Sequence, residues 1–311
     1  MQITNNYNLP APLVSAIVND TYEKVGDISV TRLISAPRKH QLENRHDAEI
    51  TQDVTDFLWS LLGQSVHEIF RRTGSIAAGY LVEKRLSAKV SDWIISGQLD
   101  LVTPEGILQD WKVTSVWSFL LGDKPDWEAQ LNCYAWLLGK GNWITPKGLQ
   151  IVGILRDWQQ SKAGYNVPSE GESMIKIGDC QPGYPPVPFV IKDIPLWSKE
   201  VQQRYVEKRV AIHQFAANTP DDELPECTDE ERWARSTTWA VKKKGNKKAA
   251  RVLASEAEAV TWIAGAKGFE IEERPGRNIR CEKYCAAAPF CNQWKAMSAP
   301  SVAPEDADIP F

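Results

Sequence analysis

The sequence predicts an α/β fold, in which helices flank a mixed sheet, followed by a C-terminal subdomain rich in cysteine and basic residues. Between about residues 50 and 160, apolar patterns follow the order helix, strand hairpin, helix, strand, which is typical of a sheet covered by helices. Cysteines and lysines concentrate further along the chain. We expect an arm, a core, a cysteine-cluster subdomain and a disordered tail at residues 1–48, 49–215, 216–295 and 296–311.

The first predicted helix of the core is "EITQDVTDFLWSLLGQSVHEIFRRTG", where apolar residues recur at helical spacing until Gly74. His67 lies off the apolar stripe of this helix. A histidine on a polar helix face is most often only solvated. It becomes a candidate ligand because the helix directly precedes the strands "YLVEKRLSAKV" and "SDWIISGQLDLV".

A β-hairpin is predicted at residues 98–114, where two apolar runs flank the turn Pro104-Glu105-Gly106. If it folds about residue 105, positions whose numbers sum to 210 lie opposite each other, which places Asp100 across from Asp110. Lys112 faces the same way. Like charges directly opposite destabilise a sheet, so either the face is exposed or a cation such as Mg²⁺ lies between the carboxylates.

The next helix is predicted in "DKPDWEAQLNCYAWLLGKG", and the strand "LQIVGILRDW" follows it. Gln130 and Tyr134 are four residues apart and share one helix face. In isolation, the pair is best read as a tyrosine whose hydroxyl is satisfied by a core neighbour. Residues 164–195 are expected to be loop.

The ordered motifs His67, "GQLD", "QDWK" and "QLNCY" resemble those of the RecB-like branch of the PD-(D/E)XK nucleases, over about residues 50–160. The resemblance implies a PD-(D/E)XK restriction-endonuclease-like core and catalysis with Mg²⁺ or Mn²⁺. The family often has Glu where this chain has Asp110, and either carboxylate can bind a metal. The implied roles are metal binding by His67, Asp100, Asp110 and the main-chain carbonyl of Trp111, orientation of water by Lys112, and strand contact near the scissile phosphate by Gln130 and Tyr134.

Cys281, Cys285 and Cys291 lie within eleven residues of one another, and Cys227 lies upstream. Four thiolates suit either a 4Fe–4S cluster or a structural Zn²⁺. Resemblance to RecB-like nucleases of the AddB and CRISPR-adaptation types favours iron and sulfur. Those families place the fourth cysteine before the core, whereas here Cys227 is preferred over Cys133 and Cys180.

Residues 232–251 contain eight Lys or Arg and no acid, with Trp233 and Trp239 interleaved. A charge run is usually only a solvated face, but this composition also suits phosphate contact and base stacking without sequence specificity. The candidate DNA contacts are Lys242, Lys243, Lys244, Lys247 and Lys248.

The leading hypothesis is a metal-dependent DNA exonuclease of phage or recombination type, acting on single-stranded DNA or free ends. The alternative is a non-catalytic nucleic-acid-binding subunit that works with a helicase, although such a relative would be expected to lose Asp100, Asp110 or Lys112. No run approaches the roughly 20 apolar residues of a membrane span, and the N-terminus lacks a secretory signal, so a cytoplasmic location is expected, in the host if the protein is phage-encoded.

The C-terminal tail ends in "DADIPF". It resembles the tip of bacterial single-stranded DNA-binding proteins, in which a terminal Pro-Phe binds an apolar pocket on a replication or repair protein. The resemblance implies that such a partner binds the tail. An alternative is that the acidic tip folds over the lysine-rich segment. The candidate partner-binding residues are Ile309, Pro310 and Phe311.

Overall fold

The structure is a computed structural model that describes residues 1–19, 25–74, 79–120, 124–163 and 183–298. The chain forms two compact units. The first comprises Met1–Ser35 with Thr51–Phe215, and the second comprises Ala36–Ile50 with Ala216–Phe311. Within the described residues, no helix has both the length and the apolar character that crossing a membrane requires.

Both units contain strands and helices. In chain order, the strands are β1 (Gln2–Thr4), β2 (Ile28–Ser29), β3 (Thr51–Asp53), β4 (Leu81–Val90), β5 (Trp93–Val102), β6 (Ile107–Thr114), β7 (Gly148–Leu155), β8 (Phe189–Ile194), β9 (Ala234–Arg235), β10 (Thr238–Lys243), β11 (Ala249–Leu253), β12 (Phe269–Arg274) and β13 (Arg277–Asn278). The α-helices are α1 (Ala11–Val18), α2 (Val30–Leu33), α3 (Pro37–Arg45), α4 (Leu58–Gly74), α5 (Trp117–Leu120), α6 (Pro125–Lys140), α7 (Gln160–Ala163), α8 (Lys199–Ala217), α9 (Asp229–Arg232), α10 (Glu256–Ile263), α11 (Ile279–Lys283) and α12 (Asn292–Ser298).

The first unit contains a six-stranded mixed sheet in the order β2-β5-β6-β7-β8, with β4 paired to β5 on its other edge. The β4–β5, β5–β6 and β7–β8 pairs are antiparallel, whereas the β2–β5 and β6–β7 pairs are parallel. Helices flank this sheet, so the predicted α/β class is confirmed.

One edge of β5 is shared by two short ladders. β2 pairs with Ile95 and Ser96, and β6 pairs with Leu101 and Val102. Among the described strands, none pairs with residues 97–100 on that edge. The segment "GQLD" therefore lies where β2 and β6 leave a gap in the sheet.

The core of the first unit lies between the sheet and its helices. Its fully buried side chains come from β2, α2, β5, β6, β7 and α6, with Val206 and Val210 from α8. Helix α6 begins at Pro125, whose fixed φ and missing N–H suit a first helical position. Its side chains from Ala129 to Leu138 are all buried, so α6 is a central helix of the core.

The second unit combines α3 with the C-terminal third of the chain. The guanidinium of Arg38 in α3 is buried and donates hydrogen bonds to the carbonyl oxygens of Leu224 and Pro225 and to Asn292 Oδ1. The ring of His46 stacks on Phe290 with centroids 4.2 Å apart. A three-stranded sheet in the order β11-β10-β12, packed by α10, completes the unit.

Two regions differ from the sequence expectation. The expected arm at residues 1–48 contains the helices α1, α2 and α3, and the last of these belongs to the second unit. The segment expected to be loop contains β8, which pairs with β7. Residues 164–182 of that segment lie outside the described residues.

Candidate active site

Three carboxylates, called here the acidic row, lie on the neighbouring strands β4, β5 and β6, namely those of Glu83, Asp100 and Asp110. The β4–β5 pairs have residue numbers that sum to 183, and the β5–β6 pairs have numbers that sum to 210. Continued by one position, these registers align Asp100 with Glu83 on one side and with Asp110 on the other, although neither is among the formed cross-strand pairs. The predicted register of the β5–β6 hairpin is confirmed for Leu101 with Gln109 and for Val102 with Leu108.

The structure groups His67 with two of these acids. His67 Nδ1 lies 3.1 Å from Glu83 Oε1 and 3.4 Å from Asp100 Oδ1. One ligand atom from each of the three residues lies within 4.8 Å of the others, a spacing at which they could hold a metal ion. Helix α4 brings His67 to this position from outside the sheet.

The hairpin opens at Asp100. The last cross-strand pair is Leu101 with Gln109, and the amide of Trp111 donates to Asp100 Oδ2 at 2.6 Å. The carboxylate therefore takes the place of a strand carbonyl as the acceptor, and β6 continues beside β7 instead. The contact between Trp111 and Asp100 is thus made by the main-chain amide of Trp111. Metal binding by its main-chain carbonyl stays a prediction.

Asp110 is 2% exposed, and Lys112 Nζ lies 2.7 Å from its Oδ2. The ammonium of Lys112 is the described cationic partner of this buried carboxylate. Asp110 is not part of the group of ligand atoms formed by His67, Glu83 and Asp100, so its role as a metal ligand stays a prediction.

Lys112 is oriented by a short chain of contacts. Its ammonium donates to Gln130 Oε1 at 3.0 Å, and Gln130 Nε2 donates to the hydroxyl of Tyr134 at 3.2 Å. Gln130 and Tyr134 are 8% and 6% exposed. Both residues thus share one face of α6 as predicted, and their described contacts position the lysine.

Gly97 allows Tyr134 to approach the sheet. A Cβ atom at Gly97 would lie 2.6 Å from Cε1 of Tyr134 and 2.9 Å from Cγ2 of Val30, closer than carbon atoms pack. The glycine of "GQLD" therefore makes room for the residue that holds Gln130.

The electrostatics of the row favour a bound cation. Burial, followed by the charge of Asp110, raises the pKa of Asp100 to about 7. The hydrogen bond to Glu83 raises the pKa of His67, with further help from the charges of Asp100 and Asp110. A divalent cation would relieve this repulsion between the carboxylates.

Glu83 is a site residue that no sequence motif indicated. Its backbone has φ 47°, in the left-handed region that side chains other than glycine rarely adopt. Its carboxylate also accepts a hydrogen bond from Gln98 Nε2 at 2.7 Å. Strained backbone of this kind concentrates at functional sites. The hairpin arithmetic used for Asp100 and Asp110, applied to a turn at Ser91 and Asp92, would have found it.

In the second unit, one small cavity is lined by the four predicted cluster cysteines, Cys227, Cys281, Cys285 and Cys291. Their sulfur atoms do not form a set of three within 4.8 Å among the described residues. Burial raises the pKa of Cys227 to about 12 and that of Cys285 to about 11, so these thiols are protonated at neutral pH in the absence of a metal.

Two other cysteines, Cys133 and Cys180, were the alternatives to Cys227 as the fourth ligand of the cluster. Cys133 is buried in α6 of the first unit, where it belongs to the apolar core. Cys180 lies outside the described residues. The main chain of Cys227 is held at the cavity by Gln293, which accepts from its amide at 2.9 Å and donates to its carbonyl at 3.0 Å.

The lysine-rich segment forms the β10–β11 hairpin, with Gly245 in the turn at φ +86°. Lys242 faces the sheet and forms an ion pair with Glu272 on β12. The side chains at the tip are exposed, namely those of Lys243, Lys244, Lys247 and Lys248. The predicted tail contacts Ile309, Pro310 and Phe311 lie outside the described residues.

No protein-family model and no curated protein matches the chain. Among solved structures, it is similar to the crystal structure of SSO0001, at 14% sequence identity and a TM-score of 0.40. The similarity covers 67% of this chain and 85% of that one.

Proposed function

We propose that the chain is a metal-dependent nuclease of the RecB-like PD-(D/E)XK type that hydrolyses phosphodiester bonds in DNA, most simply from free ends. The observation that carries the proposal is the acidic row of Glu83, Asp100 and Asp110 with Lys112 two residues further along β6. His67 completes a set of ligand atoms close enough for one cation.

The residues that would hold a Mg²⁺ or Mn²⁺ ion are His67, Asp100 and Asp110, with Glu83 as a ligand or as the partner that orients His67. Second-sphere partners of this kind fix the orientation of a metal-binding imidazole. A divalent metal bound there would acidify a coordinated water and stabilise negative charge on the phosphorus centre.

Lys112 supplies the positive charge of the site. Because Asp110 and Gln130 fix its ammonium, the charge does not have to be reoriented as the reaction proceeds. Its role is to orient the attacking water or to stabilise the charge that develops on the phosphate. Tyr134 acts through Gln130 and is therefore a positioning residue.

We propose that the four cysteines of the second unit bind a 4Fe–4S cluster, with structural zinc as the alternative. Four sulfurs around one Zn²⁺ lie about 3.8 Å apart because each Zn–S bond is about 2.3 Å long. A zinc ion would require the sulfur atoms to move together, whereas a cluster holds its ligands further apart through its own iron and sulfide atoms. The exposed lysines of the β10–β11 hairpin are proposed to contact phosphates.

The proposed partner of the tail is a replication or repair protein. A peptide of the last nine residues should bind such a partner. Removal of Pro310 and Phe311 from the full chain should abolish its binding to that partner. If the tail instead covers the lysines, removing Phe311 will have little effect, whereas neutralising Glu305, Asp306 and Asp308 will increase DNA binding.

The nuclease proposal is tested by digesting end-labelled single-stranded, duplex and circular DNA with Mg²⁺ or Mn²⁺. Cleavage that requires the metal and is lost in Asp110→Asn is the expected result. Binding of DNA without cleavage under every metal condition would favour the alternative, a non-catalytic subunit that works with a helicase. Resistance of circular DNA would identify exonuclease action.

A further inference from the structure

Two cavities in the first unit share His67, Glu83 and Asp100 in their walls. Their volumes are about 370 and 520 Å³, within the range of roughly 300–1,000 Å³ that is usual for ligand sites. The candidate metal ligands therefore lie where two cavities meet. A substrate that reaches these ligands can occupy both.

The first cavity has aromatic walls. Phe70 and Trp111 pack with ring centroids 4.0 Å apart, and Tyr80, which lines the same cavity, is 42% exposed. Val82 and Leu101 complete the apolar lining. Flat aromatic surfaces of this kind stack on nucleobases, whatever the base, because every base has a π-face.

The charges of the two cavities differ. Neither Lys nor Arg is among the described residues that line the aromatic cavity, so no lysine or arginine there can pair with a phosphate. The second cavity contains the donors Arg71, Arg85, Ser29 and Thr31, which suit a sugar-phosphate backbone, together with the carboxylates of Glu68, Glu83 and Asp100. Arg85 is oriented by its hydrogen bond to Gln98 Oε1 at 2.8 Å.

We propose that the aromatic cavity holds one unpaired nucleobase of the nucleotide next to the scissile phosphate, while the second cavity receives the adjoining backbone. This inference rests on the proposed nuclease function and deepens it, because a base that is still stacked and paired in a duplex cannot enter the cavity. The site would thus select single strands or frayed ends over intact duplex.

The test compares two short strands of equal charge, a thymidine tetranucleotide and its abasic counterpart. Binding is measured by fluorescence anisotropy in Ca²⁺, in the Asp110→Asn background to prevent cleavage. The intact strand should bind about 5- to 150-fold more tightly than the abasic strand, the range expected for stacking of one base. Tyr80→Ala should reduce this ratio at least threefold, while Tyr80→Phe should preserve it.

The matched control is Tyr7→Ala, which removes another exposed tyrosine of the same unit and should leave the ratio unchanged. A ratio near one, or a ratio that Tyr80→Ala does not alter, overturns the proposed base site. If the wild type cleaves DNA with metal but the ratio of the two affinities does not depend on Tyr80, the base site is wrong and the nuclease proposal stands. If the ratio depends on Tyr80 but the wild type does not cleave DNA, the nuclease proposal is wrong and the base site stands.

Discussion

Glu83 accepts a hydrogen bond from His67 Nδ1 at 3.1 Å, which joins the strained residue of β4 to the helix that precedes it. Asp100 lies 3.4 Å from the same nitrogen, so the imidazole contacts both acids. The candidate metal centre therefore includes Glu83, a residue that lies outside the sequence motifs from which the centre was predicted.

Glu83→Gln is predicted to weaken Mn²⁺ binding by about 10- to 100-fold, the range for loss of a residue that orients or supplements a ligand. The amide keeps the size of the side chain but removes its charge. Isothermal titration calorimetry with Mn²⁺ measures the change. Glu68→Gln is the control. Glu68 lies on the same helix as His67 and lines the second cavity, as Glu83 does, but its carboxylate pairs with Arg71. Equal Mn²⁺ affinity in Glu83→Gln and the wild type would contradict this role.

Lys112→Met is predicted to lower the cleavage rate by about 100- to 1,000-fold, as expected for removal of one preorganised charge at a reacting group. Affinity for Mn²⁺ should change much less, because lysine is not a ligand. Rates on end-labelled DNA together with Mn²⁺ titrations separate the two effects. Lys89→Met, at an exposed position of β4, is the control. Cleavage by Lys112→Met within a few fold of the wild type would remove lysine from the mechanism.

The β5–β6 register was predictable because a short turn and alternating apolar residues fix which positions lie opposite each other. Leu101 and Gln109 pair as predicted. What the pattern could not predict is that the ladder ends at Asp100, since that depends on the side chain accepting the amide of Trp111. Glu83 was equally predictable from the β4–β5 hairpin, and it was missed because no motif pointed to it.

The composition of the second unit was less predictable, because it depends on contacts between distant parts of the chain. Arg38 lies in α3 and is bonded to Leu224, Pro225 and Asn292, about 190 to 250 residues away. No local pattern marks such a residue. A buried arginine in an N-terminal helix looks, in sequence, like one more surface charge.

Gly97→Ala is predicted to destabilise the protein by about 1–3 kcal/mol, because the new methyl group overlaps the ring of Tyr134 and a methyl of Val30. Urea unfolding measures the free energy. Gly139→Ala in α6 is the matched control, since a Cβ there meets no atom within 4 Å, and it should stabilise the helix by about 0.5–1 kcal/mol. If both variants change the free energy of unfolding in the same direction, contact with Tyr134 is not what requires glycine at position 97.

Protein purified without oxygen is predicted to be brown, with a broad absorbance near roughly 400 nm. Cys285→Ser should lose this colour and lower the unfolding temperature, because binding of the metal contributes folding free energy. Iron, sulfide and zinc analysis identifies the group. Cys133→Ser, in the core of the first unit, should leave the metal content unchanged. Colourless protein with one zinc per chain would replace the cluster by a zinc site.

The last prediction concerns acid stability. His213 is fully buried and bonds through Nε2 to the carbonyl oxygen of Leu33 at 3.0 Å. Burial, followed by the charge of Arg209, lowers its pKa to about 4. An unfolded histidine has a pKa near about 6.5, so between pH 6.5 and 4 the unfolded chain binds a proton that the folded chain excludes. Stability contributed by neutral His213 is therefore complete above pH 6.5 and falls by roughly 3 kcal/mol as the pH drops to 4.

His213→Gln retains a donor for Leu33 but does not titrate, so its stability should fall less between pH 6.5 and 4 than that of the wild type. Urea unfolding followed across this range measures the difference. His46→Gln is the opposite control: the hydrogen bond to Glu49 raises the pKa of His46, so protonation of His46 favours the folded state and its removal should steepen the acid loss. Equal pH profiles for His213→Gln and the wild type would show that folding does not lower the pKa of His213.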